Sequence, residues 1–152
     1  MSDRRSPSVK RILIPVDASN KSTEALRYAV AIAAMYDAAV HVVQVIGEDS
    51  ARAIKAGEGD IEQIAADGQS ITDTATTMAK EAGVSLSTSV AYGFSPEIKS
   101  RHPGSVILDT ADEVNADFLV VPREPQSGTP GEVLSKAAEY ALLYATQPVL
   151  SV

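Results

Sequence analysis

Short apolar runs rich in β-formers alternate with longer stretches of helical periodicity along this chain, and no other feature restricts its fold as strongly. "RILIPV" (11–16), "AVHVVQVIG" (39–47), "VSLSTSVAYG" (84–93), "DFLVVP" (117–122) and "QPVLSV" (147–152) read as strands. Between the first two lies "ASNKSTEALRYAVAIAAMYDA", where the cap-type residues Ser19 and Asn20 precede Leu26, Ala29, Val30 and Ala33 at helical spacing. Residues 60–82 place Ile61, Ile64, Ile71, Ala75 and Met78 on one stripe, interrupted by Gly68. "VILDTADEVNA" (106–116) carries Ile107, Ala111 and Val114 as a short helix, and "TPGEVLSKAAEYALLYAT" (129–146) is the fourth. Five strands alternating with four helices predict a doubly wound parallel α/β sheet with right-handed crossovers and helices on both faces. The third strand alternates apolar and polar residues, as an edge strand with one wet face does. The segment 94–105, "FSPEIKSRHPGS", reads as a loop.

The 152 residues fit a single domain with one sizeable core, here residues 10–152 after a disordered polar tail at 1–9. A formal charge of −7 disfavours nucleic acid as a partner, because such binding relies on a basic surface to displace counterions. No apolar run reaches the length of a membrane span, and "MSDRRSPSVKR" lacks the apolar segment of a signal peptide, so a cytoplasmic protein is expected. With no cysteine, disulfides, thiolate metal sites and thiol catalysis are excluded. His41 and His102 stand far apart without a ligand-rich cluster, which makes a poor metal site; His41 is read as a core or edge residue and His102 as an exposed one. No G-x-S-x-G elbow marks a hydrolase nucleophile, and the acid cluster and final lysine of a response regulator are missing. No enzyme is expected.

The ordered blocks "RILIPVDAS", "ADFLVVP" and "EYALLYATQPVLSV" resemble the universal stress protein family over about residues 10–152. The resemblance implies strand order 3-2-1-4-5, a homodimer and a role in stress physiology. It also implies, for some members, an adenine nucleotide in the crevice between strands one and four, the topological switch point of such a sheet. By that resemblance the adenosine pocket corresponds to Pro15, Val16, Asp17 and Val45, with Val121 and Arg123 lining the crevice on strand four. Asp17 has a second reading, compatible with the first, in which it satisfies polar groups where the first helix begins.

Nucleotide-binding members carry G-x-x-G, nine residues, then G-S or G-T after strand four. Here those positions are Pro122, Pro125, Ser135 and Lys136, with the spacing kept and every residue changed. Glycine brings its N–H close to an anion, whereas proline has no N–H and a fixed φ. Losing two or three charge-assisted hydrogen bonds of about 1.5–3 kcal/mol each would weaken a site of ~1 μM affinity at least a hundredfold. The later "GTPG" reads as a helix start, with Thr129 as N-cap, Pro130 first in the helix and Glu132 closing a capping box. Arg123 and Lys136 are balanced by Glu124 and Glu132, so no net field draws a polyphosphate. Lys136 is either an exposed helix lysine or a point charge for a smaller anion.

The expected function is therefore a regulatory or protective stress domain with no resident cofactor, acting through a protein partner or small molecule. The alternative is an ATP or AMP binder that uses the Asp17 crevice with Arg123 and Lys136. The insertion at 94–105 either covers the crevice through Arg101 and His102 or is simply solvated. The last strand, Pro148, Val149, Leu150, Ser151 and Val152, is the expected homodimer edge, unless Pro148 and its short length blunt it.

Overall fold

The computed structural model describes residues 8–17, 20–46, 61–92, 102–123 and 132–152. Its elements are β1 (Arg11–Val16), α1 (Asn20–Tyr36), β2 (Ala39–Ile46), α2 (Ile61–Ala82), β3 (Leu86–Tyr92), α3 (Pro103–Glu113), β4 (Phe118–Val121), α4 (Glu132–Tyr144) and β5 (Val149–Ser151). The five strands form one parallel sheet in the order β3-β2-β1-β4-β5, as expected, with β3 and β5 at the edges.

Alternation along the strands sorts side chains to two faces. Ile12, Ile14 and Val16 of β1, with Val40 and Val42 of β2, pack under Leu26, Ala29 and Ala33 of α1 and Ile71 and Ala75 of α2. Leu13, Val43, Val45 and Leu119 point the other way, onto Ile107 and Ala111 of α3 and Ala137 of α4. Because β1 is apolar on both faces it is buried almost throughout, from Ile12 to Val16. Burying each such side chain contributes about 1.5–3 kcal/mol.

Loose ends at the opposite rim are tied by polar contacts. The Asp117 carboxylate accepts from the Lys10 and Arg11 backbone N–H groups at 3.0–3.1 Å, and the Arg11 guanidinium donates to the Val114 carbonyl at 2.7 Å. Asn115 takes a left-handed φ of 58°, which asparagine tolerates, to turn α3 into β4.

The expected loop at 94–105 is corrected at its end. α3 begins at Pro103, with His102 as its N-cap: the ring Nδ1 accepts from the Gly104 N–H at 2.9 Å. Proline at the first helical position is pre-set for the helix, which is why "HPGS" starts one. His102 is thus half-buried rather than exposed, and its ring stacks on Tyr140 of α4 with centroids 4.6 Å apart. The earlier part of that insertion, with Arg101, lies outside the described residues.

Gly104 lets α3 and α4 approach, since a Cβ there would overlap the Cβ and ring of Tyr140. Replacement Gly104→Ala is expected to lower stability by about 1–3 kcal/mol through overpacking, despite alanine's better helix propensity. Urea unfolding of the two proteins measures it.

Candidate functional site

At the switch point the β1–β4 ladder is short, and a proline ends it. β1 pairs with β2 over six positions, Arg11 to Val16, but with β4 over two, Ile12 and Leu13. The Lys10 carbonyl accepts from Ala39 of β2, so even-numbered residues of β1 bond to β2. Odd-numbered ones turn toward β4, as the Arg11 carbonyl does in accepting from Asp117. Pro15 is the next odd residue that would extend the ladder, and it has no N–H. The ladder stops, and the C-terminal ends of β1 and β4 are left to diverge.

Around that opening stand Pro15, Val16 and Asp17 from β1 and Val121, Pro122 and Arg123 from β4. The β1–β2 register, continued past Val16 and Gln44, sets Val45 beside Asp17. Val16, Val45, Val121 and Pro122 are buried, Asp17 is half-buried and Arg123 is exposed. Val45 packs with Leu13, Val43 and Ile107, and Val121 with Ala138 and Ala141, so both side chains belong to the core under α3 and α4. Ser135 and Lys136 lie in the second turn of α4, which leaves from the same end of the sheet. Their side chains, Pro125, and the whole Thr129–Pro130 helix start lie outside the described residues.

Asp17 is held by a residue that sequence reasoning missed. Ser22, fully buried in the first turn of α1, donates its hydroxyl to Asp17 Oδ1 at 2.9 Å and accepts from the Asp17 N–H at 2.8 Å. The strand end and the helix start are thereby clasped, in line with the second reading of Asp17. The available signal was a serine one turn before Leu26 and two before Ala29, on a stripe otherwise apolar.

At the two described positions after β4 the backbone offers no free N–H. Pro122 has no N–H, and the Arg123 N–H donates to the Val152 carbonyl at 2.8 Å. At the far edge, Val149 to Val152 are half-buried and Pro148 is exposed. Among the described residues, no three His, Cys, Asp or Glu side chains gather as a metal site, and no helix is long and apolar enough to cross a membrane. An open groove on α2, lined by Ala66, Gln69, Ser70, Asp73, Thr74 and Thr77, touches none of the crevice residues.

His41 lies away from the crevice, buried on β2 with its ring between Ser87 and Ser89 of β3. Burial, then the nearby Arg11 charge, lowers its pKa from the ordinary value of 6.5. The expected core or edge role holds: this is a core histidine facing an edge strand.

A model of the universal stress protein family matches residues 8–152. A universal stress protein of Methanocaldococcus jannaschii is 31% identical over 147 residues, covering 94% of this chain and 81% of that protein. A universal stress protein family structure from Burkholderia pseudomallei superposes with a TM-score of 0.69 at 20% identity, covering 97% and 98% of the two chains. The universal stress protein of Archaeoglobus fulgidus in complex with dAMP gives 0.63 at 22% identity, with 95% and 98% covered.

Ser22→Ala is expected to cost about 1–3 kcal/mol, because it takes from the half-buried Asp17 the one hydroxyl that both its carboxylate and its amide use. Ser22→Thr, which keeps the hydroxyl, should lose less. Thermal unfolding of both variants against the parent checks the order.

Proposed function

Since the chain belongs to the universal stress protein family, we propose that it is a cytoplasmic regulatory or protective binding module that does not grip ATP by the family's glycine loop. One observation carries this reading: the first two positions after β4 present no amide to a phosphate. Pro122 lacks the N–H, and the Arg123 N–H is taken by Val152. A triphosphate spreads its charge over several such donors, so the loss falls on the part of ATP that contributes most binding energy. Val16, Val45, Val121 and Pro122 at this end of the sheet are all apolar and buried, which favours a small apolar or weakly charged ligand, or a protein segment, over a polyphosphate. Binding, not turnover, is the proposed activity.

A second reading has its own support. The A. fulgidus relative is a complex with dAMP, and a single phosphate needs fewer donors than three. Here Asp17, clasped by Ser22 at the end of β1, would meet the nucleoside, with Arg123 and Lys136 supplying charge to the monophosphate.

The domain is further proposed to pair as a homodimer through β5. In the β4–β5 ladder Pro148 and Val152 turn their backbone groups to β4, as the bonds to Leu119 and Val121 record. Val149 and Ser151 therefore point theirs outward, a short row that a two-fold axis beside Leu150 would match with a second copy.

At ~1 mM ATP, a dissociation constant no tighter than ~1 mM stabilises by at most about 0.4 kcal/mol, which is about 1 °C or so in Tm. Differential scanning fluorimetry should show no larger shift. A shift of several degrees, or stoichiometric ATP released from the purified protein, would refute the first reading, while a shift with AMP or dAMP alone would favour the second. In analytical ultracentrifugation at tens of micromolar the protein should sediment at twice its 15.9 kDa. Leu150→Asp should return it to the monomer, and a monomeric parent removes the dimer.

A further inference from the structure

β2 and β3 run parallel with His41 opposite Ser87 and Val43 opposite Ser89, so His41, Ser87 and Ser89 project from one face of the sheet. The imidazole is wedged between the two hydroxyls, Nδ1 at 2.7 Å from Ser87 Oγ and Nε2 at 2.8 Å from Ser89 Oγ. His41 is only 7% exposed, whereas Ser87 is an exposed residue and Ser89 is half-buried. A neutral imidazole has one N–H and one lone pair, so one serine receives a proton from the ring and the other gives one. Burial and the Arg11 charge on neighbouring β1 hold the ring neutral at pH 7. With the proton on Nε2 and donated to Ser89, Nδ1 accepts the Ser87 hydroxyl. That order, exposed hydroxyl, neutral base, then a third group orienting the base, is the arrangement that activates an oxygen nucleophile.

The strand edge adds a donor beside it. Val40 N–H donates to the Ser85 carbonyl at 2.9 Å, so odd-numbered residues of β3 bond to β2. The amides of Leu86, Thr88 and Val90 then point away from the sheet, and the Thr88 N–H follows directly after Ser87. An amide so placed faces the side from which a reagent would approach, where it would meet negative charge developing on a carbonyl oxygen.

We propose that Ser87 is a covalent modification site for activated acyl groups, with His41 as its general base and Ser89 positioning the ring. In the step, Ser87 Oγ bonds to the carbonyl carbon of an activated ester while its proton passes to His41 Nδ1. The tetrahedral intermediate then expels the alcohol or phenol oxygen, which takes that proton from Nδ1. The products are O-acyl-Ser87, the free alcohol or phenol, and His41 neutral as before. One acyl group is taken up per chain, a modification rather than a turnover cycle, and it adds bulk to the wet edge strand, two strands from β1.

The test uses the full chain and p-nitrophenyl acetate, with the acylated residues read by peptide mass spectrometry. Ser85 is the internal reference: it is an exposed serine on the same face just before β3, two residues from Ser87 and ahead of the register that faces His41. Acetylation of Ser87 is expected to exceed that of Ser85 by about 100-fold, the usual yield of a positioned general base. A ratio near one overturns the assignment without any variant. The rate at Ser87 should rise as His41 loses its proton, below pH 6.5, and level off above it, because the lowered pKa leaves the base free there. A steady tenfold rise per pH unit on to pH 9 would mean hydroxide, not His41, drives the reaction. His41→Gln should bring Ser87 down to the Ser85 rate, and an unchanged rate in a folded variant refutes the base. Ser89→Thr should keep the rate while Ser89→Ala lowers it; equal rates in the two remove Ser89 from the arrangement.

Discussion

A strand buried on both faces has only its ends for polar chemistry, and β1 is such a strand. Its side chains alternate between two helical layers, so Ile12, Ile14 and Val16 serve one core and Leu13 the other. Everything polar is pushed to the rims. At one rim Asp117 and Arg11 tie the strand starts to the turn after α3. At the other, Asp17 meets Ser22 and the chain turns into α1. The β1–β4 ladder ends after Leu13, where the next donor turned toward β4 would be Pro15, which has no N–H.

The same chemistry repeats after β4, with a different consequence. Proline at 122 removes a donor, and the next amide, of Arg123, is consumed in holding the chain to Val152. Those two positions are tied to the sheet and offer no free N–H. Val45 and Val121 nearby are core residues under α3 and α4, and a missing backbone donor bears directly on what charge this position can hold.

Away from the crevice the sheet ends in two unlike edges. β5 is short and half-buried, beside the exposed Leu142, Leu143 and Tyr144 at the end of α4. β3 is longer, carries three polar residues in its middle, and turns Ser87 and Ser89 inward onto His41. An imidazole between two hydroxyls is fully hydrogen-bonded, which is how a polar ring is accommodated in a parallel sheet without an opposite charge.

Periodicity alone located the five strands, because apolar runs of the right length leave no other way to bury them, and the wet alternation of "VSLSTSVAYG" marked β3 as an edge. It also placed the ends of β1 and β4, near Asp17 and Pro122, where the apolar runs stop. Local rules missed Ser22 although its partner Asp17 is only five residues away, and they failed outright where partners are distant. His102 looked exposed until Tyr140, 38 positions later in the chain, supplied a ring to stack on. His41 became a neutral, doubly hydrogen-bonded base only when β3 was laid beside β2, 46 residues on. Sequence determined which segments are strands and helices because that depends on near neighbours. The tertiary structure decided which polar groups meet, because a hydrogen bond depends on ångström distances between segments whose separation along the chain carries no such information.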